Sequence, residues 1–248
     1  MEHRRPLLTG LAICLIAACS PAIGQELSID LGGEGALTLQ VVQLFALLTV
    51  LSLAPGIAIM LTCFPFMVTV LSILRQAIGV QQAPPNMMIV SLALFLTWFV
   101  MAPVFNTAWE NGIAPLTSGE IEAEEGFAQT LAPFRTFMEG RADPETMQVL
   151  RNAAPNSTND VGVTGEGPPL SLLIPSFMLT EIKRGFEVGF LIFLPFLIID
   201  LVVASILMSM GMMMVPPAIV SLPFKLAFFV LADGWTLLAG ALVRGYGP

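Results

Sequence analysis

Between Glu34 and Arg75 the chain carries no charged residue. A helix needs only about 20 apolar residues to cross a bilayer, so positions 35–74 hold more uncharged chain than one straight span uses. The excess calls for a break, and Pro55-Gly56 is the expected place. On that reading Leu39–Ala54 is an amphipathic or partly buried approach helix, and Ile57–Leu74, with Pro65 inside it, is the first span. Broken helices at membrane depth are tolerated where protein or a water-filled cavity surrounds them, which points to a bundle lining something. Composition places the whole chain in the same class: 56% of residues are hydrophobic and only 11% charged, with a mean hydropathy of +0.84. This is the profile of an integral membrane protein.

Other classes are excluded by what is missing. A net charge of −8 and the lack of clustered Lys and Arg leave no face for nucleic acid. Cys14, Cys19 and Cys63 lie in apolar sequence with no CxxC or Cys/His spacing, so neither a disulfide frame nor a zinc site is expected. His3 is the only histidine, no nucleophile–base pair is visible, and no phosphate-binding glycine loop occurs. No catalytic, cofactor-binding or metal-binding residue is expected, and the chain is not read as an enzyme.

Taken in order, residues 1–24 read as a cleavable signal peptide: Arg4 and Arg5, an apolar run from Leu7 to Ala18, then Ala22-Ile23-Gly24 before Gln25. Ile16-Ala17-Ala18-Cys19 also fits a lipoprotein cleavage box, and either route starts the mature chain outside a bacterial inner membrane. Residues 25–38 form a polar, Gly-rich lead-in. Residues 39–105 make a first helical hairpin whose turn contains Pro84-Pro85 and whose second span is Met87–Val104, with Trp98 and Trp109 suited to an interfacial belt. Residues 106–184 are an acidic, loop-rich periplasmic region in which Glu120, Glu122, Glu124 and Glu125 are read as a solvated face in preference to a calcium or partner site. Short helices are expected over Phe127–Met138 and Asp143–Asn152, Asp143 capping the latter with Pro144 at its first position. Asn152–Pro169 reads as a loop. Residues 185–243 make the second hairpin, its third helix starting on the outer side at Lys183 and Arg184. Loop charges give little orientation, so orientation rests on the signal segment.

The second half echoes the first. Cys63-Phe64-Pro65-Phe66, Leu71-Ser72-Ile73-Leu74 and Pro84-Pro85 are matched by Phe193-Leu194-Pro195-Phe196, Ala204-Ser205-Ile206-Leu207 and Pro216-Pro217. With the acidic region between them the two hairpins share an orientation, a parallel rather than an inverted repeat. The second turn, Met208–Pro217, contains Met208, Met210, Met212, Met213 and Met214 before the Pro-Pro pair. Methionine is unbranched and polarisable, so this cluster is either hydrophobic filler or a compliant gasket that closes a space and parts again. Asp200, Lys225 and Asp233 stand in otherwise apolar sequence. Intramembrane charges cost about 2.5 kcal/mol or more each and mark function or internal pairing. Asp200 and Lys225 are nearly equidistant from the methionine turn, so an antiparallel hairpin sets them at one depth, where they can pair either as a register-fixing salt bridge or as a polar switch beside a gate. Asp233, with Trp235, belongs near the far interface.

Ser171–Phe190 reads SLLIPSFMLTEIKRGFEVGF, with Pro175, Phe177, Glu181, Lys183, Phe186 and Gly189 as its marks. It is followed by Phe193–Ser205 (FLPFLIIDLVVAS), Met212–Pro217 (MMMVPP) and Leu222–Lys225 (LPFK). This ordered series resembles the FliP family of flagellar type III export-gate proteins over about Leu39–Gly240, departing at Ile182, at Val188 and within the acidic region. The resemblance implies an all-α membrane protein of two helical hairpins, about four transmembrane-type helices with broken helices, plus an acidic helical periplasmic insert. It implies a subunit of a helical ring assembly: a homo-oligomer with FliQ-like and FliR-like membrane subunits, beside FlhA-like and FlhB-like export components, in the inner membrane at the flagellar basal body. The implied cargo is unfolded flagellar protein, and the methionine-rich loop would be the gasket of the closed channel. The nominal spans of such assemblies pack into a cone standing partly above the bilayer, which would explain Pro65, Pro195, Pro223 and the buried charges. An injectisome export-gate subunit is the alternative reading, and a small-molecule or ion transporter a more distant one.

Overall fold

The computed structural model describes residues 34–80, 84–153, 167–212 and 214–246. The expected signal peptide, the lipoprotein box, most of the lead-in, most of the Asn152–Pro169 loop and Met213 fall outside the described residues. Among those described, every element is helical: α1 Glu34–Met60, α2 Phe64–Ile78, α3 Asn86–Ala108, a π-helical turn Trp109–Ile113, α4 Ala114–Ser118, α5 Ala123–Glu139, α6 Pro144–Ala153, α7 Leu170–Ser209, α8 Pro217–Leu231 and α9 Gly234–Arg244. Among the described residues three helices are long and apolar enough to cross a membrane, or four when the bent pair α8–α9 counts as one span. The chain divides into two compact units, residues 1–51 and 52–248.

The first long helix departs from expectation. Pro55-Gly56 does not break it: α1 runs through Pro55, and its span-length part is Val41–Met60. The break falls instead at residues 61–63, where the Thr62 hydroxyl donates to the Ile59 carbonyl at 3.1 Å and accepts from the Phe64 amide at 3.4 Å. Pro65 then lies in the first turn of α2, where proline's missing N–H costs nothing and its fixed φ suits a helix start. A hydroxyl that accepts from the first amide of the new helix and a proline that opens it outweigh a Pro-Gly pair inside an apolar stretch. Ile57–Leu74 is therefore not one span; its second part, α2, is a 15-residue helix.

α2 is also the most enclosed helix. Phe66, Met67, Val70, Leu71, Leu74 and Ala77 are buried in the main core with Ile89, Ala93 and Met101 of α3 and Phe196 of α7. The closeness of α7 depends on two glycines. A Cβ at Gly185 would meet Thr69 at 3.0 Å, and one at Gly189 would lie 2.3 Å from the Ile73 Cδ1 and 3.1 Å from its Cβ. A smaller core joins Leu61, Met138, Leu173 and Phe177. Through it α5 packs on α7, Phe137 meeting Phe177 edge to face at 5.7 Å, while Phe134 meets Phe105 of α3 at 5.6 Å.

α7 is a single helix of 40 residues beginning at Leu170, well ahead of Lys183, with Pro175 and Pro195 in its interior. At 1.5 Å per residue it is about 60 Å long, twice the roughly 30 Å of a bilayer's hydrocarbon. The returning helix is not continuous: it bends by 61° between α8 and α9. The bend is at Asp233, which adopts a left-handed conformation (φ 48°), and Gly234, where a Cβ would lie 2.2 Å from the Phe229 ring. In the acidic region α5 contains the helix expected over Phe127–Met138, and α6 begins at Pro144 as expected, the Asp143 carboxylate accepting from the Glu145 amide at 3.2 Å and the Thr146 hydroxyl at 3.0 Å.

Candidate functional site: the methionine turn and its polar anchor

The turn between α7 and α8 is built by Gly211 rather than by the Pro-Pro pair. Gly211 has φ +76°, its amide donates to the Met208 carbonyl at 3.1 Å, and the Met212 amide donates to the Leu207 carbonyl at 2.9 Å. These two bonds are the Schellman arrangement that closes a helix on a left-handed residue, which glycine adopts without a Cβ clash. Pro216 and Pro217 act at the other end, as the cap and first residue of α8. The turn is thereby a short, defined corner that presents its methionines outward. Met208, Met210, Met212 and Met214 are all exposed, Met214 to 97%. Within one chain they close nothing.

The anchor lies below this tip. Lys225 of α8 is buried, and its Nζ donates to Asp200 Oδ2 of α7 at 2.6 Å and to the Ala77 carbonyl at 3.1 Å. Ser221, one helical turn before Lys225 on the same face, donates to Asp200 Oδ1 at 2.5 Å. The pairing expected from the equidistant spacing is present. The third contact was not legible in sequence: Ala77 is in the last turn of α2, whose carbonyls have no helical partner and whose dipole favours a cation. Lys225 thus ties three helices together, α2, α7 and α8. The first turn has its own fastening, Arg75 donating to the Asn86 side chain and to the Pro84 carbonyl at 3.4 Å, with Pro85 as the cap of α3. Asp233 does not join the other two charges; it sits at the α8–α9 bend and accepts from the Thr236 hydroxyl at 3.0 Å.

The marks of the α7 motif divide by environment. Phe177 is buried in the smaller core, Gly189 is the point of closest approach to α2, Pro175 is interior to α7, and Phe186 is exposed. Glu181 is wholly buried, a position an unpaired carboxylate would not occupy. It pairs not with the neighbouring Lys183 but with Arg141, whose Nε donates to Oε1 at 2.9 Å, and with the Tyr246 hydroxyl, which donates to Oε2. Lys183 instead faces Asp143 at 3.6 Å. Arg141 and Tyr246 escaped sequence reasoning because they are remote in the chain from Glu181; the one available hint was that Tyr246 is the only tyrosine. No group of His, Cys, Asp or Glu able to hold a metal ion occurs among the described residues.

The chain matches the model of the FliP family over residues 47–242. It is 49% identical over 248 residues to the flagellar biosynthetic protein FliP of Caulobacter vibrioides, covering 99% of this chain and 92% of that protein. To the proteins of the same name from Rhizobium meliloti and Bacillus subtilis it is 49% identical over 213 residues (86% of each chain) and 44% identical over 209 residues (83% of this chain and 91% of the other).

Proposed function

The chain belongs to the FliP family, and we propose that it is a pore-forming subunit of the flagellar type III export gate, passing unfolded flagellar proteins across the inner membrane. Copies of the chain stand in a ring with FliQ-like and FliR-like subunits, and the methionine turns converge on the axis as a gasket. The observation that carries this reading is the pairing of an exposed apolar tip with a hydrogen-bonded anchor beneath it. Met208, Met210, Met212 and Met214 are exposed, whereas Asp200, Ser221 and Lys225 hold the stems of the same hairpin together and Lys225 fastens them to the Ala77 carbonyl of α2. A seal needs that division, since pliant side chains close around a variable object only if their supports stay put.

The length of α7 supports an assembly standing partly clear of the hydrocarbon. Exposed apolar residues run along it from Leu179 through Phe190, Ile198 and Ile206, a stripe too long for about 30 Å of lipid to cover. In the same reading residues 1–24 are a cleaved signal peptide and residues 106–184 face the periplasm beside the basal body, with FlhA-like and FlhB-like components on the opposite side.

Replacing Met212, Met213 and Met214 together by alanine tests the gasket. Leakage of ions through otherwise intact membranes, with the protein still assembled, is the expected result. A tight membrane with normal secretion of flagellar subunits returns the methionines to filler and shifts the working element to the Asp200–Lys225 pair.

A further inference from the structure

Four elements converge on the segment after α9. The Tyr246 ring stands edge to face against Phe66 of α2 at 5.3 Å and is stacked on Phe137 of α5 at 6.2 Å. The Arg141 guanidinium, in the turn between α5 and α6, lies 3.8 Å from the centroid of the same ring, and its Nη1 donates to the Gly245 carbonyl at 3.3 Å. Both Arg141 and the Tyr246 hydroxyl donate to the buried Glu181. Beside this knot the Asp143 amide donates to Thr180 Oγ1 at 3.0 Å, and Lys183 reaches the Asp143 carboxylate. Thr180, Glu181 and Lys183 on α7 therefore receive the whole Arg141–Asp143 turn.

What depends on that attachment is α6. α5 is held independently, by Phe105 of α3 and by the π-helical turn, where a Cβ on Gly112 would lie 2.2 Å from the Thr130 hydroxyl. α6 has ten residues, none of them fully buried; it lies against α7 with Met147 half-buried on the smaller core, and a helix that short does not persist without such support. After α9, by contrast, the Gly245 and Tyr246 amides donate only to the last turn of α9, to Ala241 and Val243. Among the described residues of that segment, the polar hold on the rest of the molecule is made by the Tyr246 side chain and the Gly245 carbonyl.

We propose that Thr180, Glu181 and Lys183 form a docking site for the Arg141–Asp143 turn and that Tyr246 is its latch, so that withdrawing Tyr246 releases the turn and α6 while α5 and the α2–α7 core stay in place. Glu181 is the positioning residue, since its two oxygens orient the guanidinium and the phenol against each other. The latch goes beyond the export reading and does not depend on it.

Trypsin acting on the full-length protein in detergent micelles distinguishes the parts. Tyr246→Ala should speed cleavage at Arg141 and Arg151 by about tenfold, the factor carried by one hydrogen bond to a charged group, with Arg135 of α5 as the internal control unchanged. Tyr246→Phe, which keeps the ring over Arg141, should give a smaller increase. The wild-type chain supplies a measurement needing no variant. Glu181 from α7, Arg141 from the turn and Cys63 ahead of α2 are the charged or titratable groups facing the phenol. Burial first, then the Glu181 charge, push its ionisation above the ordinary 10.0. Followed by near-ultraviolet absorbance, this lone tyrosine should stay protonated where the denatured chain ionises, and Glu181→Gln should bring its ionisation down. Unchanged cleavage at Arg141 and Arg151 in Tyr246→Ala, equal acceleration at Arg135, or a wild-type tyrosine that ionises together with the denatured chain would each overturn the proposal.

Discussion

The two hairpins share a Pro-Phe pattern, Phe64-Pro65-Phe66 and Phe193-Leu194-Pro195-Phe196, and end up in opposite structural roles. In the first, Pro65 opens a new helix; in the second, the matching Pro195 is enclosed within α7. The difference lies three residues upstream. Thr62 places a hydroxyl where it can cap the Phe64 amide, whereas the equivalent Ile192 has nothing to offer a broken backbone. In an apolar setting an unpaired amide costs more than a strained proline helix, so the chain stays helical. The consequence reaches the tips. The short α2 is mostly enclosed and its turn is stitched by Arg75, while α7 carries its turn outward and leaves the methionines exposed. A repeat in sequence is thus no guarantee of a repeat in structure: a hydroxyl beside a break lowers its cost without by itself imposing one.

The largest expected effect comes from cutting the tie inside the second hairpin. Asp200→Leu strands the buried Lys225 and should cost about 3 kcal/mol of stability, seen as a lowered midpoint of denaturation in mixed micelles. Lys225→Met leaves Asp200, which keeps Ser221 and is partly exposed, and should cost about 1 kcal/mol, near the value of an ordinary hydrogen bond. The double variant should be less damaged than Asp200→Leu alone; an additive loss would show that the two charges are not coupled. Next in size is the α2–α7 contact. Gly189→Ala drives a methyl group into Ile73 and should cost about 2 kcal/mol as overpacking, recovered in part by Ile73→Val in the same chain.

Smaller effects sharpen the contrast between the two prolines. Thr62→Val removes the hydroxyl that accepts from the Phe64 amide and should cost about 1 kcal/mol, near the value of an ordinary hydrogen bond. Ile192→Thr should leave α7 unbroken by circular dichroism, because a threonine inside a helix bonds back to its own preceding turn. The smallest change is at Asp143. The Thr146 hydroxyl and the Glu145 amide, helped by Lys183, hold its carboxyl below the ordinary 3.8. A depressed carboxylate contributes stability that is present above 3.8 and is lost as pH falls through the folded value. The midpoint of denaturation should therefore carry an Asp143 contribution that is level at neutral pH and declines only in strong acid, and Asp143→Asn should remove that part of the decline.

Helix content, membrane character, the two tips and the Asp200–Lys225 pair were legible in the chain, because apolar run lengths, Gly-Pro punctuation and equal spacing about a turn are local or symmetric signals. The Asp143-Pro144 start of α6 was legible for the same reason. The break at Thr62 rather than Pro55, the unbroken passage of α7 through Pro195, and the bend at Asp233 were not. Each depends on which backbone group finds a partner and which glycine has a ring against it. The Glu181–Arg141–Tyr246 knot was hidden altogether, for its members lie 40 and 65 positions apart and nothing in their neighbourhoods demands the others. By itself the sequence determined that this chain is a helical membrane protein with a methionine corner; only the tertiary structure decided which helix is enclosed, which tip is bare and what holds α6, since those follow from burying polar groups in one shared interior where each must find a partner.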